Sequence, residues 1–221
     1  MERIICLLIG YVFGMFQTAF IYGKLHHIDI REHGSGNAGT TNALRTLGFK
    51  AGLIVFLGDI IKPVLAALLV RLIFKETHPN DITLLVIYSG IGVVLGHNFP
   101  AYLKFKGGKG IAATAGVVLS LGCWQLIVLG LFVFFLTLFI TKYVSSGSLT
   151  MVSAVFGGFV VFVHMGIIGG LGSTAIIYEA TAVWFVFVLL AFIRHKDNIV
   201  RLWNGTENEL GLLTKKKKQE V

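Results

Sequence analysis

Three stretches of this chain combine small or amide residues with fixed positive charge. Gly34, Ser35, Gly36, Asn37, Ala38 and Gly39 lead to Arg45; Lys104 to Gly110 reads KFKGGKG; and Arg194, His195, Lys196, Asp197 and Asn198 lead on to Glu207. Glycine lets several backbone N–H groups converge on one anion, Lys and Arg supply charge, and Ser, Asn and His supply directional hydrogen bonds. Those are the requirements of a phosphate group, so the three clusters predict a site for an anionic substrate.

Each cluster also has a plainer explanation. The first could be a Gly-rich turn with an N-cap for a short helix over Thr40 to Leu47. Arg45, about one and a half turns beyond Thr40, favours binding instead. Ser35 and Asn37 are candidate hydrogen-bonding groups; Ser35 lies outside any G-x-S-x-G elbow, which argues against a nucleophile. The second could be a basic loop flanking a span, but Gly107, Gly108 and Gly110 crowded among Lys104, Lys106 and Lys109 exceed that need. It is not a Walker A loop, because Lys109 precedes Gly110 and position 103 is Leu, so nucleotide hydrolysis is unsupported. In the third, His195, Asn198 and Arg201 or Leu202 lie three to four apart and share a face if the last span extends past the membrane; a lone interfacial His is more often structural, and Glu207 is expected to pair with a nearby cation. Ser145, Ser146, Gly147 and Ser148 read as a small polar turn, where Ser148 could bind phosphate or cap the next helix. His97 is expected to cap the carbonyls of a helix end.

The elements that must carry these groups are membrane helices. The chain has 221 residues, 55% hydrophobic and 14% charged, with a mean hydropathy of +0.81, outside the soluble range. A helical span takes about 20 apolar residues, and Ile4 to Tyr22, Leu53 to Phe74, Ile82 to His97, Leu149 to Ile168 and Thr174 to Ile193 each come near it. Ile111 to Thr141 carries no Asp, Glu, Lys or Arg and is split at Gly122 into a short fourth helix and a full fifth. The expectation is an all-α, polytopic protein with about seven transmembrane helices. With the N-terminus outside and the C-terminus cytoplasmic, every Lys and Arg except Arg3, Arg71, Lys75 and the intramembrane Lys62 falls inside. Residues 1–221 are read as one membrane-embedded domain, with a basic cytoplasmic tail from 209 to 221. Lys215 to Lys218 read either as a tail drawn to anionic headgroups by about 1 kcal/mol each or as a topology signal or solvated end. The first apolar run lacks a small-residue cleavage site and is read as retained. The formal charge of +8 is spread over loops without a nucleic-acid motif, so no nucleic-acid partner is expected. Cys6 and Cys123, in apolar segments, suggest neither a disulfide nor a metal site. Asp59 and Lys62, three apart within one span, should pair, and Pro63 should kink or open that helix.

GSGNAGTTNALRTLG (34 to 48), GHNFPAYLKFKGGKGIAAT (96 to 114) and RHKDNIVRLWNGTE (194 to 207) closely resemble, in order and spacing, the three signature motifs of the bacterial acyl-phosphate:glycerol-3-phosphate acyltransferases. The resemblance covers nearly the whole chain. It implies transfer of a fatty acyl group from acyl phosphate to the 1-hydroxyl of glycerol 3-phosphate, giving lysophosphatidic acid and phosphate at the cytoplasmic face of a bacterial inner membrane. No metal, cofactor or obligate protein partner is implied. By position, Ser35 and Arg45 become essential polar groups, Lys104 and the Gly107 to Gly110 loop bind phosphate, His195 and Asn198 are catalytic or orienting, and Glu207 is structural. Thr40, Ala43 and Pro63 depart from the usual residues, and the 145 to 148 turn matches less closely. Either His195 or a substrate phosphate oxygen would take the hydroxyl proton. Against this stand a thioester-dependent acyltransferase of the His-x-x-x-x-Asp class, whose pair is missing, and an organic-phosphate transporter, which should show an internal repeat and basic residues near the midplane.

Overall fold

The computed structural model describes residues 1–210; the basic run Lys215 to Lys218, and all of the expected tail beyond 210, lies outside them. Among the described residues every regular element is helical: α1 (Glu2–Met15), α2 (Thr18–Leu25), α3 (Thr40–Leu47), α4 (Phe49–Phe74), α5 (Ile82–Asn98), α6 (Ile111–Ser120), α7 (Trp124–Thr141), α8 (Val144–His164), α9 (Thr174–Arg194) and α10 (Lys196–Trp203), with short 3-10 turns at Ile30–Glu32 and Ala101–Leu103. Six segments are long and apolar enough to cross a membrane: Glu2–Leu25, Phe49–Phe74, Ile82–Leu103, Trp124–Thr141, Val144–His164 and Thr174–Arg194. The seventh apolar helix, α6, has ten residues and rises about 15 Å, half of a hydrocarbon core.

Because these helices are apolar all round, lipid can cover one side while neighbours cover the other. The central helix is α5, buried along most of its length, whereas Leu65, Leu68, Phe132, Phe135, Phe139 and Leu189 project outward from α4, α7 and α9. Helix α1 reaches α5 through two G-x-x-x-G pairs, Gly10 with Gly14 and Gly92 with Gly96. A Cβ on Gly92 would run into Leu7 O, and one on Gly14 into Val93 O, so the backbones touch, as membrane helices do where small residues line both surfaces. Elsewhere Trp184 stacks on Phe159 at 4.5 Å between centroids and meets Phe187 at 5.1 Å.

The expected first span is interrupted. α1 ends at Met15 and α2 begins at Thr18, and buried Gln17 fills the gap by donating from Nε2 to Gly14 O (3.2 Å), Gly96 O (3.4 Å) and His97 O (3.0 Å). Carbonyls released by a helix break inside a membrane need such a donor. α4 runs unbroken through Pro63. The split near Gly122 falls as expected, with a positive φ of 68° there. α8 starts at Val144, ahead of the expected Leu149, so Ser145 to Ser148 form its first turn and not a loop before it.

Two ends of the bundle are distinct. At one, Arg3 donates to Glu179 (2.5 and 2.8 Å), Tyr88 donates to the same carboxylate (2.8 Å), and Arg71 donates to Ser120 O (3.2 Å). At the other lie α2's end, α3, the 99 to 110 loop and α10.

Gly92→Ala should cost about 1–3 kcal/mol of stability, as overpacking of a tight contact does. Gly157→Ala, where a Cβ meets nothing within 4 Å, should be neutral or slightly stabilising. Thermal unfolding of the two variants in detergent compares them.

Candidate active site

The three polar clusters converge on one cavity of about 950 Å³ at this second end of the bundle. Ser35, Asn37, Arg45, Asp59, Lys104, Gly107, Lys109, Gly110, Ser148, His195, Asn198 and Glu207 all line it; Gly108 packs just behind.

The first cluster is held by a residue that sequence reasoning passed over. Asn42, fully buried in α3, accepts from Ser35 N (2.9 Å) and donates to Ile30 O (3.0 Å) and His33 O (2.9 Å). This fixes the loop so that the Ser35 side chain stays at the cavity surface. Gly34 turns there at φ 60°, with no room for a Cβ against Asn42 Oδ1. An isolated Asn in a polar helix ordinarily lies on the surface, so no local pattern marks this one. Asp29 and Arg31 lock the loop's start: the guanidinium holds the Asp29 carboxyl at about 2 and stacks over Phe20 at 4.9 Å. Arg45 is exposed, its Nη2 donating to Asn208 O (3.3 Å) and Glu209 O (3.4 Å).

The second cluster differs from expectation in which groups it offers. Gly107 N donates to Asn98 O (3.2 Å) and Gly108 N to His97 O (3.0 Å), closing the end of α5. Their carbonyls accept from Arg194 (3.0 and 3.1 Å). A Cβ on either glycine would strike His97, so these two residues permit close packing and do not offer N–H groups to a phosphate. The cavity is bordered further on by Gly110, Ile111 and Ala112, at the N-terminus of α6, where the first N–H groups have no intrahelical acceptor. Lys104 and Phe105 adopt left-handed φ values of 55° and 61°, strained for residues with a side chain, and Lys104 is left exposed at the cavity mouth. Beneath this loop Lys62 lies 3.0 Å from Asp59 and 2.7 Å from His97 Nδ1, all three buried. The Asp59–Lys62 pair is as expected. His97 binds that pair and not the helix-end carbonyls, a contact across 35 residues that no local pattern shows.

In the third cluster, His195 sits at the junction of α9 and α10 with Nδ1 2.8 Å from Ala191 O. A carbonyl only accepts, so Nδ1 bears the proton and Nε2 is left as an acceptor. Burial first, and then the Lys109 charge, push its pKa down to about 4, leaving it neutral. Asn198 joins two charges, accepting from Lys109 and donating to Glu207 (2.8 Å); Glu207 in turn accepts from Arg201 (2.9 Å). Burial lowers the Lys109 pKa to about 8. Ser148 Oγ donates to Val144 O (2.8 Å), while buried Ser145 Oγ lacks a partner among the described residues. No group of three or more His, Cys, Asp or Glu side chains is placed to hold a metal ion among the described residues.

The family model of glycerol-3-phosphate acyltransferase matches residues 4–205. The chain belongs to that family. Glycerol-3-phosphate acyltransferases from Thermoanaerobacter sp. (strain X514) and Bacillus subtilis (strain 168) are each 40% identical to it, over 97% of this chain and 98% of the first relative, and over 91% and 94% for the second. Crystal structures of PlsY (YgiH), an integral membrane glycerol 3-phosphate acyltransferase, are similar to the whole bundle. Its glycerol 3-phosphate form superposes with a TM-score of 0.78 at 29% identity, covering 96% of this chain and 98% of that one. Its lysophosphatidic acid form gives 0.77 at 28% identity, covering 95% of each. The chain is thus a multi-pass bacterial membrane acyltransferase of this family, with all three expected motifs at one cavity.

Lys109 supplies a pH signature. A lysine whose pKa is lowered to about 8 loses its charge as pH rises through that value, so affinity for glycerol 3-phosphate should fall across the same range. Lys109→Arg should flatten that limb in calorimetric titrations of the detergent-solubilised protein.

Proposed function

We propose that this protein transfers a fatty acyl group from acyl phosphate to the 1-hydroxyl of glycerol 3-phosphate, releasing lysophosphatidic acid and inorganic phosphate. The observation that carries this reading is the mixed lining of the cavity. Arg45, Lys104, Lys109 and the start of α6 line it, and so do the apolar side chains of Phe56, Leu131, Phe134, Phe135 and Met151. A phosphate suits the first set and an acyl chain the second. Phe56, Leu131 and Phe135 are exposed apolar side chains, which suits the passage of an acyl chain between cavity and lipid.

An acyl phosphate already carries a good leaving group, and the protein's work is to position two anions and stabilise developing charge. We assign Arg45 and Lys104 to phosphate neutralisation, with the N-terminus of α6 and Lys109 beside them. Ser35 and Asn198 orient the acceptor and the acyl carbonyl. The hydroxyl oxygen attacks the carbonyl carbon, the bond from that carbon to the phosphate oxygen breaks, and phosphate departs. His195 Nε2 accepts a hydrogen bond from the attacking hydroxyl. With a pKa near 4 it is a weaker base than a phosphate dianion, whose pKa is about 6, so the proton passes to a phosphate oxygen.

The site would face the cytoplasm. α6 starts at the cavity and ends beside Arg71 at the opposite end of the bundle, which supports seven crossings with the chain's two ends on opposite sides. The concentration of Lys and Arg at the cavity end supports an outside N-terminus.

Purified protein given glycerol 3-phosphate and either palmitoyl phosphate or a palmitoyl thioester should form lysophosphatidic acid from the phosphate alone. Arg45→Ala and Lys104→Ala, both surface changes, should each lower kcat/KM on the order of 10²-fold while leaving Tm in place. Product from the thioester alone would contradict the donor.

A further inference from the structure

His97 has no part in the reaction as described, yet its ring is built into the cavity floor. It is 3% exposed, and its Nδ1 lies 2.7 Å from Lys62 Nζ. Lys62 is fixed in turn by Asp59 Oδ1 at 3.0 Å and by Phe16 O at 3.3 Å, the carbonyl released at the α1–α2 break. The Thr18 hydroxyl also donates to Asp59 (3.4 Å). An ammonium has only donors, so Nδ1 accepts and the ring proton resides on Nε2.

That Nε2–H has no hydrogen-bonded acceptor among the described residues. Nε2 is turned to Gly108, where a Cβ would strike it and would come within 2.8 Å of Ala38 O. The first and second clusters therefore meet at this nitrogen, and the absent side chain of Gly108 keeps it uncovered. The contacts of Lys62, Asp59, Phe16 and Thr18 hold this donor in place.

We propose that His97 Nε2–H donates a hydrogen bond to a phosphoryl oxygen of bound substrate, with Lys62 and Asp59 acting through it as positioning residues. The inference rests on the acyl-transfer reading above. The phosphoryl group belongs to glycerol 3-phosphate or to the acyl donor, and the KM that responds identifies which.

Two substitutions separate the two nitrogens. His97→Asn keeps an acceptor near Nδ1 for Lys62 and has nothing at Nε2; His97→Gln places an amide N–H at Nε2. In full-length protein whose wild type turns over both substrates, His97→Asn should keep Tm within a few degrees and raise the KM of one substrate about tenfold or more. His97→Gln should restore it to within about threefold. A folded His97→Asn enzyme with both KM values unchanged overturns the proposal, as does failure of Gln to restore what Asn loses. If neither variant folds, the Nε2 nitrogen resonance of ¹⁵N-histidine-labelled wild-type protein decides: it must move on addition of glycerol 3-phosphate or of a non-transferable acyl phosphonate, and a fixed resonance with both overturns the proposal. Since the wild type is assayed first, absence of acyl transfer would count against the reaction itself and not against His97.

Discussion

The loop from Phe99 to Gly110 has to finish part-way along the bundle, because α6 has only ten residues and its far end lies beside Arg71. A loop at that depth carries backbone polar groups into a region where water cannot satisfy them, and each needs an internal partner. Gly107 and Gly108 donate to the last carbonyls of α5 and accept from Arg194. Both must be glycine, since a Cβ on either would collide with His97. With the loop closed in this way, the N-terminus of α6 is left facing a cavity and not a neighbouring helix. A helix N-terminus open to a cavity favours an anion before any side chain is counted.

The charges around that site fall into two groups. Arg194, Lys62 and Arg201 are engaged by protein acceptors: loop carbonyls, Asp59 with His97, and Glu207. They hold the walls. Lys104 stands exposed, Arg45 donates to backbone carbonyls of residues 208 and 209, and Lys109 meets a neutral amide. Because these three have no carboxylate partner among the described residues, an incoming phosphate can complete their charge. The neutral His195 carries its proton on Nδ1, so its Nε2 accepts from a hydroxyl and not from an anion.

Much of the architecture was legible from composition and charge. The apolar runs located the helices, the break at Gly122 separated α6 from α7, and the Gly, Lys, Asn and His clusters marked residues that line one cavity. What was not legible depends on contacts between distant segments. Gln17 reads as an unremarkable polar residue in an apolar run until the carbonyls of Gly14, Gly96 and His97 are seen around it. Asn42 pins the first cluster through residues as far as 12 positions away. Gly107 and Gly108 suggested a phosphate grip, but their N–H groups are occupied by α5, a division of roles that sequence spacing alone cannot express. Ser145 to Ser148 suggested a turn because Ser and Gly favour one; packed against α7, they continue as helix.

The central claim is that one cavity holds phosphate at its cationic residues and an acyl chain along Phe134 and Phe135. A structure of the protein with glycerol 3-phosphate and a non-transferable acyl phosphonate tests it directly. The account predicts both phosphorus atoms within reach of Arg45, Lys104 and the first turn of α6, with the alkyl chain running between α7 and α4 toward lipid. Phosphorus density at the opposite end of the bundle, near Arg71 and Arg3, or an alkyl chain leaving by another path, would contradict it.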